Sequence, residues 1–306
     1  MHLGLVTSSA TAIPHDISAA IPSPSVSSFQ LGPLTIHFYA LCILVGIIIA
    51  IVLTNRRLTK RGVEDWQVLD IATLAVPMAI VFARIYHVIT HYTDYFGPGR
   101  NPWNPFEPGS VWAIWEGGIA IFGSLIGGTL GAWIMCRRLG LKLTTLLDAL
   151  APGLILAQAC GRFGNWFNQE LFGLPTTLPW GLEIDPGNPA IPLGTPPDTL
   201  FHPTFLYEVI WNSLGALVLL YLGRQVFFQW GRLFAVYLMW YGAGRIVWES
   251  IRLDPSFVIL GLRTNVWGAI GAVALGVAIM IIQWKRHPEP EESPFIPGRE
   301  PEPAKD

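Results

Sequence analysis

The sequence predicts an all-α polytopic membrane protein with seven transmembrane helices, its N-terminus outside and its C-terminus cytoplasmic. Three observations predict it. Of the 306 residues, 52% are apolar and only 13% charged, about half the charge that a soluble domain carries. Mean hydropathy is +0.46, with 13 Trp and 16 Phe. Seven apolar stretches reach the roughly 20 residues that crossing a hydrocarbon core requires. The composition excludes a water-soluble two-domain protein, which length alone would permit. It also excludes a disordered chain, which needs low hydrophobicity and high charge. A net charge of −2 leaves no electrostatic footprint for nucleic acid. Cys42, Cys136 and Cys160 lie in apolar runs without CxxC spacing, which indicates neither a disulfide framework nor a zinc site.

In chain order, residues 1–33 are rich in Ser, Ala and Pro and uncharged apart from Asp16, so they read as a flexible external segment. They lack the basic start and long apolar run of a cleaved signal. The membrane domain is expected over residues 34–284. Its spans are Leu34–Thr54, Val68–Ile89, Val111–Cys136, Thr144–Arg162, Thr204–Gly223, Leu233–Ser250 and Asn265–Trp284. Each span is helical by necessity, because lipid offers no partner for unpaired backbone groups. A β-barrel would need alternating segments of about 10 residues, and Leu41–Leu53 does not alternate. External loops are expected at residues 92–110 and 164–203; the second carries eight prolines, and loops longer than about 15 residues are more often functional than accidental. From residue 285 to 306 the chain is Pro- and Glu-rich and reads as a disordered cytoplasmic tail. No internal repeat points to an inverted-repeat transporter.

The basic residues orient the spans. Arg56, Arg57, Lys60, Arg61, Arg137, Arg138, Lys142, Arg224, Arg232, Lys285, Arg286, Arg299 and Lys305 gather at one set of ends, against Arg100, Arg252 and Arg263 at the other. The richer side is cytoplasmic, and opposite sides for the two termini require an odd number of spans.

Polar clusters interrupt the apolar pattern. The first runs from Gly161 to Glu170 at the outer end of the fourth span. If helical, Arg162, Asn165 and Gln169 share one face, and the flanking glycines Gly161 and Gly164 let a headgroup approach the backbone. The plain alternative is an arginine snorkelling beside belt aromatics, which would not need Asn165, Asn168, Gln169 and Glu170 next to it. The second cluster places Tyr241, Arg245 and Glu249 at i, i+4 and i+8, a polar stripe on a membrane helix, or else a self-neutralising Arg–Glu pair. Together the two arginines suit a phosphate clamp. The third, His202-Pro203-Thr204 through Tyr207 and Glu208, opens the fifth span, with Pro203 suited to a first turn; His202 and Glu208 are groups that handle protons, and a simple helix start explains them equally well. Tyr39, after His37 and Phe38, serves either as a belt residue or as a ligand. Gly117 and Gly118 read first as packing residues, and Arg84 with His87 first as interfacial anchors. No Walker loop, GxSxG elbow or HExxH occurs, so nucleotide, serine-hydrolase and metal chemistry have no residues to rest on.

These motifs resemble the bacterial prolipoprotein diacylglyceryl transferases. Gly161–Glu170 is similar to that family's Gly-Arg-x-Gly-Asn followed by Asn-x-Glu, and Tyr241–Glu249 to its Tyr-Gly-x-x-Arg…Glu. His202-Pro203-Thr204 with Tyr207-Glu208, His37-Phe38-Tyr39 and the context of Arg84 also match, so the likeness runs from about Leu34 to Trp284. The resemblance implies a seven-span enzyme of the bacterial cytoplasmic membrane, with its active site toward the extracytoplasmic face. It implies transfer of the diacylglyceryl group of phosphatidylglycerol to the lipobox cysteine thiol of a preprolipoprotein signal peptide, giving a thioether and glycerol phosphate. No cofactor and no metal are implied. The catalytic positions carried over are Arg162, Arg245, Glu170, Asn165, Tyr39 and Glu249. Those for substrate binding are Arg162, Asn165, Asn168, Gly164, His202, Tyr207, Glu208, Tyr241, Arg84, Gly117 and Gly118.

One departure concerns the proton. After its Trp-x-Gly-Gly segment the family often has His-Gly-Gly-Leu, whereas this chain reads Phe122-Gly123-Ser124-Leu125. A phenylalanine moves no proton, which leaves His202, Glu170 and Tyr39 as equal candidates for deprotonating the thiol. The competing expectations are an anion or lipid transporter whose arginines select the anion, and a membrane protein that binds anionic lipid without turnover.

Overall fold

The structure, a computed structural model, describes residues 19–32, 34–97, 101–114, 117–254 and 256–300. Most of the expected N-terminal segment, Trp115 and Glu116, Arg100 and the last six residues lie outside the described residues. The described chain is mostly helical. Its long helices are α1 (Phe38–Thr59), α2 (Gln67–Thr90), α4 (Ile121–Arg138), α5 (Leu143–Phe167), α6 (Thr204–Leu222), α7 (Arg232–Ser250) and α8 (Thr264–Arg286), and α3 (Tyr92–Tyr95) is a single turn. Five of them, α1, α2, α5, α6 and α8, are long and apolar enough to cross a membrane, which makes the chain a multi-pass membrane protein. The other two are more polar for local reasons: α4 ends on Arg137 and Arg138, and α7 carries Arg232, Arg245 and Glu249.

Three sequence expectations change. Leu34–His37, expected inside the first span, forms strand β2, paired antiparallel with β1 (Ser28–Leu31) from Ser28 opposite His37 to Leu31 opposite Leu34. Gly32 takes the positive φ of 61° that the turn needs, which glycine alone adopts without strain, and β-branched Thr35 and Ile36 favour the extended form. The third helix begins at Ile121 rather than Val111. Gly117 and Gly118 have φ of 95° and 72°, values that cannot continue a right-handed helix. The fourth helix extends to Phe167, so the following loop starts at residue 168.

The tail departs most from expectation. Composition suggests disorder, yet residues 287–300 fold back over the ends of α4, α5 and α8. Phe295 is buried in a cluster with Leu58, Val68, Ile71, Leu141 and Leu146. Glu291 is buried, pairs with Arg61 and with Lys142 at 3.5 Å, and accepts the Thr145 hydroxyl at 2.8 Å. The Lys142 N–H donates to the Pro294 carbonyl at 2.9 Å, and the Ile296 N–H to that of Gly140 at 2.7 Å. A polar composition does not prevent order when one aromatic and one carboxylate find buried partners. The N-terminal stretch is similarly docked: the Pro22 and Pro24 carbonyls accept from Trp166 Nε1 at 3.2 Å and Gln169 Nε2 at 3.1 Å.

Apolar side chains gain little by leaving lipid for one another, so membrane helices associate through close packing of small residues. The helices pair accordingly. A Cβ added at Gly46 of α1 would lie 2.9 Å from the Ala157 Cα of α5, and one at Gly153 of α5 would lie 2.9 Å from the Ala50 Cα of α1. On α4, a Cβ at Gly131 would lie 2.8 Å from the Ala75 Cα of α2. On α7, one at Gly242 would lie 2.7 Å from the Ala269 carbonyl oxygen of α8. Pro152 inside α5 has no N–H for the Asp148 carbonyl; Arg57 of α1 donates to that oxygen instead, at 3.3 Å. The Asp148 carboxylate accepts the N–H groups of Gly231 at 2.7 Å and Phe234 at 3.0 Å, tying the start of α7 to the same level of α5.

Candidate active site

Because α6 runs antiparallel to α5 and α7, the last turns of α5 and α7 meet the first turns of α6 at one end of the bundle. There they enclose a cavity of about 350 Å³ that Tyr39 of α1 and Ile121 of α4 also line. Arg162 and Arg245, from α5 and α7, both line it. Arg162 Nη2 pairs with Glu208 Oε2 of α6 at 2.7 Å. Its Nη1 donates to Asn165 Oδ1 at 3.1 Å, and Asn165 Nδ2 donates to Glu170 Oε1 at 2.7 Å, an oxygen that Asn168 Nδ2 also reaches at 3.4 Å. The first cluster is therefore one relay from guanidinium through amide to carboxylate. Gly164 lies under the Tyr39 ring: an added Cβ would come 3.0 Å from the ring Cγ, so any side chain there would displace Tyr39.

Arg245 Nη2 pairs with Glu249 Oε2 at 2.8 Å. Glu249 is fully buried and also takes Arg263 Nε at 3.1 Å, Arg252 Nη1 at 3.5 Å and Asn265 Nδ2 at 2.9 Å. Asp254 holds the outer sides of Arg252 and Arg263, at 2.7 and 3.2 Å. Three guanidinium groups against two carboxylates leave this flank net positive, and low polarisability around it strengthens attraction for an anion. Arginine's planar fork of donors suits phosphate oxygens.

Other expected residues lie apart from the lining. His202 Nδ1 is 3.1 Å from the Tyr207 hydroxyl, which also accepts Trp180 Nε1 at 3.2 Å; these three make a separate cluster at the entry to α6. Arg84 is buried, and its guanidinium donates to the carbonyls of Val111 and Gly117 at 2.8 Å, Ser110 at 2.7 Å and Gly118 at 3.2 Å. It pins Ser110, Val111, Gly117 and Gly118 rather than snorkelling. Gln169 leaves the Arg162 face because α5 ends at Phe167; its Oε1 accepts the Asp185 N–H at 2.8 Å. Phe122 is half exposed, with its ring 6.1 Å from that of Tyr86. Sequence reasoning missed Gln158, Trp211, Asn212 and Trp248, all in the lining. A lone amide within an apolar span was the available signal for the first and third.

Comparison with known proteins places the chain in a family. The family model described as "Prolipoprotein diacylglyceryl transferase" matches residues 26–282. A protein of Leifsonia xyli named phosphatidylglycerol–prolipoprotein diacylglyceryl transferase is 57% identical over 287 residues, covering 92% of this chain and 86% of its own length. Proteins of the same name from Bifidobacterium longum and Cutibacterium acnes are 47% and 44% identical, covering 89% and 91% of this chain and 88% and 92% of theirs. Since the match runs from ahead of β1 to within the last turns of α8 and includes both arginines of the cavity, the chain belongs to the prolipoprotein diacylglyceryl transferase family.

Proposed function

We propose that this chain transfers the diacylglyceryl group of phosphatidylglycerol to the lipobox cysteine thiol of a preprolipoprotein. Seven helices, α4 and α7 among them, would cross the bacterial cytoplasmic membrane, with the cavity toward the outer face. The names of its relatives support the reaction. The orientation is supported by Arg56, Arg57, Lys60, Arg61, Arg137, Arg138 and Lys142, all at the end of the bundle away from the cavity, as positive-inside topology demands. The single observation that carries the reading is that Arg162 and Arg245, on different helices, line one cavity.

A cysteine thiol, with an ordinary pKa near 8.5, attacks as its thiolate. The new bond joins sulfur to the glyceryl carbon that carries the phosphate. The carbon–oxygen bond there breaks, and its electron pair stays on the oxygen of the departing glycerol phosphate. Arg162 and Arg245 hold the two faces of that phosphate while its charge grows, in a site where preorganised donors are worth most. Glu208 and Glu249 fix the two guanidinium planes. Glu170, one hydrogen bond behind Asn165, takes the thiol proton, which the dianionic product then recovers. Tyr39, held by Gly164, closes the cavity on the α1 side, and residues 168–203 receive the peptide. The far end of the bundle is filled by the cluster around Phe295, which favours a one-sided pocket over a conduit.

The test incubates purified protein in phosphatidylglycerol nanodiscs with a lipobox peptide and reads peptide mass. A diacylglyceryl mass gain with release of glycerol phosphate is expected; a peptide that keeps its free cysteine overturns the reading.

A further inference from the structure

The cavity lining falls into two tiers. Arg162, Glu208 and Arg245 stand four or five residues from the site ends of α5, α6 and α7, and Gln158, Asn212 and Tyr241 stand one turn deeper on the same three helices. All six line the cavity. The outer tier is charged and paired. The inner tier is neutral, and its hydrogen-bonding capacity is largely unspent. Asn212 is 6% exposed and its amide bonds no described residue. The Tyr241 hydroxyl likewise bonds none. Gln158 gives one N–H to the Tyr237 hydroxyl at 2.8 Å, while its buried carbonyl oxygen accepts nothing among the described residues. The Asn212 amide and the Tyr241 hydroxyl thus open on the cavity, and polar groups left without a protein partner within membrane helices are costly enough to mark a ligand site.

We propose that the inner tier is a subsite for the ester carbonyls of the diacylglyceryl group, so that the enzyme selects ester-linked over ether-linked glycerolipid. The proposal rests on the reaction given above. In a phospholipid the two ester carbonyls lie on the acyl side of the phosphate. With the phosphate between Arg162 and Arg245, they fall toward the helix middles, one turn or about 5.4 Å deeper. Carbonyl oxygens only accept, and they carry no charge. They therefore call for neutral donors, which the Asn212 amide, the Tyr241 hydroxyl and the second N–H of Gln158 supply. A charged group at that depth would have no countercharge, whereas three neutral donors from three helices hold the transferred group while its phosphate leaves.

The experiment compares phosphatidylglycerol with its dialkyl ether analogue of equal chain length, which has the same headgroup, the same bond to break and the same leaving group. The unaltered chain is expected to favour the ester lipid by about tenfold or more, roughly one hydrogen bond's worth. In Asn212→Leu and in Tyr241→Phe the preference should fall toward one. Both rates are read from one preparation, so their ratio does not depend on the folded fraction. Equal transfer from both lipids by the unaltered chain, or variants that keep the preference, overturns the subsite and leaves the reaction standing. Transfer from neither lipid overturns the reaction itself, and the subsite with it.

Discussion

At each end of the bundle, arginine or lysine meets glutamate under partial or full burial, yet the two ends are built differently. At the end away from the cavity, Arg61, Lys142 and Thr145 close on Glu291 beneath Phe295. At the other, Arg162 and Arg245 are each held by a carboxylate but still face about 350 Å³ of open space. The first arrangement is packed over and sealed. The second stays open and leaves donors exposed to whatever enters. A cluster of ion pairs in a membrane protein is thus not a site by itself; the unfilled volume beside it, with polar groups left over, is what separates chemistry from staples.

Substitutions on each side break or sharpen that contrast. The largest effect is expected for Arg245→Ala, which removes one of the two phosphate donors: transfer should fall by about 10²–10³, read as the rate of peptide mass gain, while yield in the membrane changes little. Equal activity would dissolve the distinction between the two ends. Glu249→Ala takes from Arg245 its carboxylate and leaves Arg252 and Arg263 with Asp254 alone; breaking a buried ion pair costs about 3–5 kcal/mol, so thermal unfolding in detergent should come at clearly lower temperature. Glu291→Ala at the sealed end should cost less, about 1–3 kcal/mol for stranded donors, with transfer per folded molecule unaltered. A matching loss of turnover there would show that the far end takes part in catalysis. The smallest effect is expected for Phe122→His. The ring is half exposed, so stability should stay within about 0.5 kcal/mol and the rate within about threefold. A tenfold rise would mean that proton removal limits the unaltered chain.

Much of this was legible in the chain. Apolar runs located the seven long helices of the described residues, five of them apolar enough to cross a membrane, and helical spacing put Arg162 with Asn165 and Arg245 with Glu249. What failed did so for identifiable reasons. The hydropathy of Val111–Ala120 looked helical, but Gly117, Gly118 and the grip of Arg84 on four carbonyls give that stretch another path. Composition made the tail look disordered because it averages over residues and cannot weigh Phe295 and Glu291, each with a buried partner waiting. Gln158 and Asn212 were hidden inside apolar spans; only the three-dimensional register of α5, α6 and α7 shows that they share a level. That Arg252 and Arg263 share Glu249 with Arg245 was equally hidden, since Arg263 is 14 positions along the chain from Glu249.

The glycine-backed contacts of α1 on α5, α2 on α4 and α7 on α8 also constrain how the bundle can open. Within each pair the main chains lie so close that a slide or lean of one helix would collide with the other. The seams between pairs carry no such constraint. Ile121, the first residue of α4, lines the cavity beside Tyr39 of α1, so the boundary between the α2–α4 pair and the α1–α5 pair runs past the site itself.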